Sequence, residues 1–161
     1  MSSSISVQSL SQDDAQQAYP LVKTLCPEAT EERWVGFVKS CHERCRDARA
    51  AGVMIAKDER GYMVGLYSYV VEEDLTHGRT LEVDHFIAAD FVGRGRVPAS
   101  LRLAMDKQAA ALDCQALHVN LNSPMGLGDC YNSTLVCGFR EDGHAVEGLR
   151  LCKRYAAVGA D

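Results

Sequence analysis

Gly93, Arg94, Gly95 and Arg96 stand side by side in the stretch Asp90-Phe91-Val92-Gly93-Arg94-Gly95-Arg96-Val97-Pro98. Ahead of them Thr80 to Ile87 reads as a strand, and behind them Leu101, Ala104, Met105, Gln108, Ala109 and Leu112 recur at helical spacing. Pro98 suits a first helical turn, where its missing N–H would have had no partner. A helix start offers unpaired N–H groups and the positive end of a dipole, and glycines let an anion approach the backbone. With two arginines beside that notch, the chemistry is the binding of a phosphate or pyrophosphate. The turn lacks the Lys-Ser/Thr of a P-loop, and the strands before it follow one another without intervening helices, which disfavours a nucleotide-phosphate binder.

The elements that must position this notch can be read along the chain. Ile5 to Leu10 is a weak first strand. Ser11 caps a helix that carries Ala15, Ala18, Leu21, Val22 and Leu25, with a kink at Pro20 and a stop near Pro27. Thr30-Glu31-Glu32-Arg33 starts a second helix bearing Trp34, Phe37, Val38, Cys41 and Cys45; Trp34 and Phe37 read equally as core and as the wall of a substrate cleft. Gly52 to Ala56, Gly61 to Val71 and Arg79 to Ala88 are consecutive strands, rich in β-branched and aromatic residues. The loop Glu72-Glu73-Asp74-Leu75-Thr76-His77 carries acids able to attract a cationic amine. After the glycine turn and its helix come a strand, Gln115 to Asn122, and a short helix from Asp129 to Cys137. Gly138-Phe139-Arg140-Glu141 then leads into a last hairpin through Asp142-Gly143, closing with Val146 to Tyr155; residues 156–161 are expected to fray.

At 161 residues the chain is expected to form a single domain, 1–161, with 47% hydrophobic and 24% charged residues. A net charge of -5 leaves no broad basic field, so no nucleic-acid partner is expected. No apolar run approaches the roughly 20 residues that span a bilayer, so no membrane partner is expected either. The N-terminus shows no basic segment followed by an apolar one, and a cytoplasmic location is expected. The seven cysteines form no Cys-x-x-Cys pair and read as free thiols. Cys41 and Cys45 are one helical turn apart but have no second pair of matching spacing, so no metal is expected.

The order of elements, with a glycine turn after the fourth strand, resembles the GNAT superfamily of acyl-CoA-dependent N-acyltransferases across nearly the whole chain. Val92-Gly93-Arg94-Gly95-Arg96-Val97 is similar to the family's Arg/Gln-x-x-Gly-x-Gly/Ala turn, with Val92 in place of Arg or Gln and Val97 in place of Gly or Ala. A second register, Asp90-x-x-Gly93-x-Gly95, restores the glycines at the expense of the helix pattern. Cys137-Gly138-Phe139 resembles the family's late Gly-Phe, and Leu151-Cys152-Lys153-Arg154-Tyr155 its final strand. The resemblance implies an α/β (α+β) fold: a mixed, largely antiparallel sheet of six to seven strands, about four helices, and a splay between strands four and five.

It also implies an activity, the transfer of an acyl group, acetyl first among them, from acetyl-CoA or another acyl-CoA to a primary amine within a ternary complex. The alternative of the same fold is a catalytically inactive acyl-CoA-binding sensor or scaffold. The pyrophosphate would sit on Val92, Gly93, Arg94, Gly95, Arg96 and Val97, and the pantetheine arm along Phe86, Ile87 and Ala88, with Asn122 or Asn132 as a further contact. Glu82 falls closest to the family's base, ahead of Asp84; on a regular strand His85 would point to the other side, and His85 and His118 read as internal histidines. Where the family often has a Tyr that protonates the leaving thiolate, this chain has Thr134, with Tyr131 one turn earlier as substitute. The acceptor is a small-molecule or peptide amine, and a homodimer is compatible with the resemblance.

Overall fold

The computed structural model describes residues 4–46, 50–89, 95–121, 133–148 and 150–155. Among these, five strands form one sheet in the order β1-β2-β3-β4-β5: β1 (Ser6–Ser9), β2 (Ala51–Lys57), β3 (Met63–Asp74), β4 (Gly78–Ala88) and β5 (Ala116–Val119). The first four pair antiparallel, and β5 lies parallel to β4. Four helices accompany them: α1 (Ala15–Leu25), α2 (Glu31–Arg46), α3 (Arg96–Ala111) and α4 (Thr134–Glu141). No helix among the described residues is long and apolar enough to cross a membrane.

Period-two alternation divides the sheet into two apolar faces. Val53, Ile55, Leu66 and Ile87 turn toward α1 and α2, where they meet Leu10, Ala18, Trp34 and Val38. Tyr67, Val71, Leu81, Val83 and Phe86 turn toward α3 and α4, onto Leu101, Met105 and Phe139. Trp34 belongs to the first core: it is buried, and its Nε1–H donates to the Ala15 carbonyl at 2.7 Å, tying α2 to α1. The Thr30 hydroxyl accepts the Arg33 N–H at 3.2 Å, which caps α2 as its sequence suggests.

Among the described residues the sheet has five strands, where six to seven were expected. The difference lies in the Asp142-Gly143 pair. This dipeptide is a strong hairpin signal, but here it ends a helix. Gly143 adopts a φ of +98°, its N–H donates to Arg140 O, and the His144 N–H donates to Phe139 O, both at 3.0 Å. That pattern is a Schellman C-cap. Gly138 and Phe139 therefore lie inside α4, which starts at Thr134 with Ser133 as N-cap, its hydroxyl accepting the Val136 N–H. Residues 144–148 and 150–155 follow without pairing into the sheet, leaving Val146, Leu151 and Tyr155 exposed.

The acidic loop is also shorter than its sequence suggests. Glu72 and Glu73 are β3 residues opposite Thr80 and Arg79, and only the segment after Asp74 turns. There the Asp74 carboxylate accepts the N–H groups of Thr76 and His77, each at 2.8 Å. These bonds hold its pKa below the ordinary carboxylate value.

Candidate active site

Strand β4 organises the site. Its register with β3 slips between Leu66↔Ile87 and Ser68↔Asp84, so His85 and Phe86 together face Tyr67. This is a β-bulge, and His85 absorbs it with a φ of +53°, a conformation uncommon outside glycine. Alternation places Glu82 and Asp84 on the α1–α2 face, opposite Leu81 and Val83. The bulge turns His85 to that face as well. Its ring lies edge-on to Phe37 of α2, centroids 5.2 Å apart, and its Nδ1 is 2.9 Å from the Ser68 hydroxyl. Phe37 is half-buried and stacks on Trp34. Of the two aromatics that sequence left open, Trp34 fills the core and Phe37 borders the bulge.

Burial drives the His85 pKa below its usual value; the Asp84 carboxylate opposes this and Arg150 reinforces it. His85 is consequently neutral at pH 7. The Ser68 hydroxyl has one proton for two neighbours, the Asp84 carbonyl at 3.1 Å and His85 Nδ1. If the hydroxyl donates to the carbonyl, His85 keeps its proton on Nδ1 and Nε2 is left as an acceptor.

Glu82 pairs in register with His118 of β5, and their side chains meet: His118 Nδ1 is 2.5 Å from Glu82 Oε1. Thr80 Oγ1 donates to the same oxygen at 3.3 Å. Two neighbouring arginines make other contacts. Arg79 donates to Leu112 O, and Arg102 pairs with Asp142.

Beyond Val83 the two parallel strands part company. The Asn120 N–H makes a bond to Val83 O at 2.8 Å, β5 has ended at Val119, and β4 runs on to Ala88. Phe86, Ile87 and Ala88 thus lie on the part of β4 that has β3 on one side and no strand on the other among the described residues.

The start of α3 is held next to this open stretch by Gly65 of β3. Gly65 pairs with Ala88, and a Cβ there would meet Val97 Cγ1 at 2.8 Å, Ile87 O at 2.9 Å and Leu101 Cδ1 at 3.0 Å. The absent side chain lets the first turn of α3 sink onto β3 and β4. Gly95 caps the helix with a φ of +64°, and none of the described residues comes within 4 Å of the position a Cβ would take; Arg96 begins α3 and Val97 is buried. Val92, Gly93 and Arg94 lie outside the described residues, as do Asn122, Tyr131 and Asn132.

Gly138 and Phe139 serve to dock α4. A Cβ on Gly138 would meet Arg102 Nη1 at 2.6 Å, and Phe139 packs edge-to-face on Phe86, centroids 5.3 Å apart. Thr134 sits exposed at the first position of α4. On the α1–α2 face, residues 150–155 reach over the sheet: Arg150 pairs with Asp84 at 3.3 Å and Arg154 with Glu28, between α1 and α2, at 3.2 Å.

The residue pattern singled out Glu82 as a candidate but showed neither its contact with His118 nor the orientation of His85. A signal for the first existed. Leu81-Glu82-Val83 and Leu117-His118-Val119 share an apolar-polar-apolar pattern, which a parallel pairing brings side by side. The signal for the second was weak: histidine is enriched among left-handed non-glycine residues, but its presence alone does not mark a bulge within a strand.

No protein-family model and no curated protein matches this sequence. Solved structures do match over nearly its full length. An aminoglycoside N-acetyltransferase in complex with CoA superposes with a TM-score of 0.71 at 13% identity, covering 98% of each chain. The ribosomal-protein-alanine N-acetyltransferase of Brucella melitensis biovar Abortus 2308 gives 0.68 at 18%, over 95% of this chain and 100% of the other. The glucosamine-6-phosphate N-acetyltransferase of Arabidopsis thaliana gives 0.68 at 12%, over 95% and 99%. The chain has the GNAT fold.

Proposed function

From that fold we propose that this chain is an acetyl-CoA-dependent N-acetyltransferase acting on a primary amine. The observation that carries the proposal is the open stretch of β4 beyond Val83, with the glycine-capped start of α3 seated beside it through Gly65. Backbone groups of Phe86, Ile87 and Ala88 can pair with an extended amide-bearing arm as an added strand would, and fix the thioester carbonyl. The α3 N-terminus, with Gly95, Arg96 and Val97 and the preceding Val92, Gly93 and Arg94, takes the diphosphate; the left-handed backbone of Gly95 sets the approach of the chain to that helix start. Asn122 and Asn132 are further candidate contacts for the arm.

Acetyl-CoA supplies an activated carbonyl carbon. An unprotonated amine attacks it, a C–N bond forms, the C–S bond breaks, and the sulfur leaves with the electron pair and takes up a proton. The amine must shed a proton first, and two groups on the α1–α2 face can receive it. Glu82 is one, held by His118 and Thr80. His85 is the other, neutral at pH 7 and next to the open stretch of β4. The leaving sulfur draws its proton from Tyr131, Thr134 or water. The acceptor enters over the face bordered by Phe37, Asp84 and residues 150–155; the solved neighbours whose names specify an amine-bearing acceptor support that class.

A second reading, binding of acyl-CoA without turnover, is favoured by Thr134 standing where a proton-donating Tyr would be expected. Free-thiol release from acetyl-CoA against a panel of polyamines, amino sugars, amino acids and peptides tests both. Amine-dependent release supports transfer. Binding of acetyl-CoA without release across the panel selects the second reading, and absence of binding ends both.

A further inference from the structure

A second constellation lies at the other end of β4, away from its open stretch. His77, from the β3–β4 turn, His118 of β5 and Glu147, after α4, each offer a ligand atom, and these atoms lie within 4.8 Å of one another. His77 Nδ1 is 3.0 Å from His118 Nε2, and His77 Nε2 is 3.7 Å from Glu147 Oε2. Asp74 Oδ1 stands 3.6 Å from His77 Nδ1. Two imidazole nitrogens sharing one tetrahedral Zn2+ at about 2.0–2.1 Å come to lie about 3.3–3.4 Å apart, so the histidine pair would open by a few tenths of an ångström to bind one ion.

The surroundings are those of a metal ligand set. Glu82 binds His118 through Nδ1, which fixes the ring and leaves Nε2 to face His77. A carboxylate on the far nitrogen of a ligating imidazole orients it and raises its basicity. The turn bearing His77 is held by the two backbone N–H bonds to Asp74, so this ligand is also pre-positioned. Glu147 is the exposed member, with 59% of its side chain accessible, and is free to swing onto an ion.

We propose that His77, His118 and Glu147 form a binding site for a borderline divalent cation of the Zn2+ class, with Asp74 beside it and Glu82 as the positioning carboxylate. Two imidazoles and one carboxylate suit Zn2+ or Co2+ better than Mg2+ or Ca2+, which demand more oxygen ligands. The metal site does not rest on acetyl transfer, but it shares the Glu82–His118 pair with one of the two candidate bases. The sequence reading expects no metal because it looks for clustered cysteines and closely spaced ligands. This set comes from three distant segments that the β4–β5 pairing and the course of the chain after α4 bring together.

Calorimetric titration of the full-length protein with Zn2+, paired with visible spectroscopy of the Co2+ form, tests it. Wild type is expected to bind one equivalent and to give a Co2+ spectrum of low coordination number with nitrogen and oxygen ligands. His77→Ala, in the β3–β4 turn, is expected to weaken binding at least about 100-fold, and Glu147→Gln about 10-fold. His118→Ala should match His77→Ala, and a Cys41→Ser/Cys45→Ser double variant should bind as wild type does. Absence of saturable binding by wild type overturns the proposal. So does wild-type affinity in His77→Ala, or loss of binding in the cysteine variant alone.

Discussion

His85 Nδ1 lies 2.9 Å from the Ser68 hydroxyl, a contact made possible by the bulge that turns the imidazole to the α1–α2 face. The ring is enclosed by Phe37 and Ser68, with Asp84 and Arg150 as the charged groups that face it. A residue on a regular strand would have pointed at α3 instead.

That enclosure makes stability depend on pH. Burial keeps the folded-state pKa of His85 below its unfolded value of about 6.5, so the unfolded chain takes up the proton first as pH falls. Above that value the group contributes no pH dependence. Below it, stability declines until pH passes the lowered folded value, and then levels off. Urea denaturation of wild type between about pH 7.5 and about pH 5, across the ordinary histidine range, should show this decline. His85→Asn, which tolerates the left-handed backbone but does not titrate, should show a shallower one. His85→Val should cost about 1–3 kcal/mol at all pH values through backbone strain.

Gly65 should be intolerant of a side chain for a reason local to the site. An alanine Cβ would meet Val97, Leu101 and the Ile87 carbonyl at 2.8–3.0 Å, so Gly65→Ala should destabilise by about 1–3 kcal/mol and weaken acetyl-CoA binding by displacing the start of α3. Gly36, inside α2 with nothing within 4 Å of the same position, provides the opposite sign. Gly36→Ala should stabilise by about 0.5–1 kcal/mol and leave binding unchanged. Chemical denaturation and acetyl-CoA titration of the two variants check this.

The choice of base is open to a kinetic measurement. Glu82→Gln keeps the shape of the side chain and removes its charge, and should lower kcat about 10²–10⁴-fold with acetyl-CoA affinity intact if Glu82 receives the amine proton. If His85 does, the loss belongs to His85→Asn instead. Full activity in both variants would remove both residues from the role.

Much of this arrangement was legible in the residue pattern. Alternation through β2, β3 and β4 and the periodicity of Leu101, Met105 and their neighbours specify these elements to within a few positions, because each buries one apolar face. What was not legible depends on tertiary context. Asp142-Gly143 serves a hairpin or a helix C-cap equally well, and the contact of Phe139 with Phe86 decides for the cap. The Glu82–His118–His77 chain joins residues from three elements and requires the strand order to be known. The bulge at His85 has no sequence mark, and Gly65 reads as an ordinary strand glycine until α3 is placed on it.

The central claim, that main-chain amides at the start of α3 hold the diphosphate of an acyl-CoA, is tested most directly by calorimetric titration of acetyl-CoA into wild type and Gly95→Val. Gly95 has a φ of +64°, which a β-branched residue adopts only under strain, while its Cβ would meet none of the described residues within 4 Å. The account predicts saturable one-to-one binding by wild type, weakened at least about tenfold in the variant, which corresponds to about 1.4 kcal/mol. No saturable binding by wild type, or equal affinity in the two proteins, would contradict it.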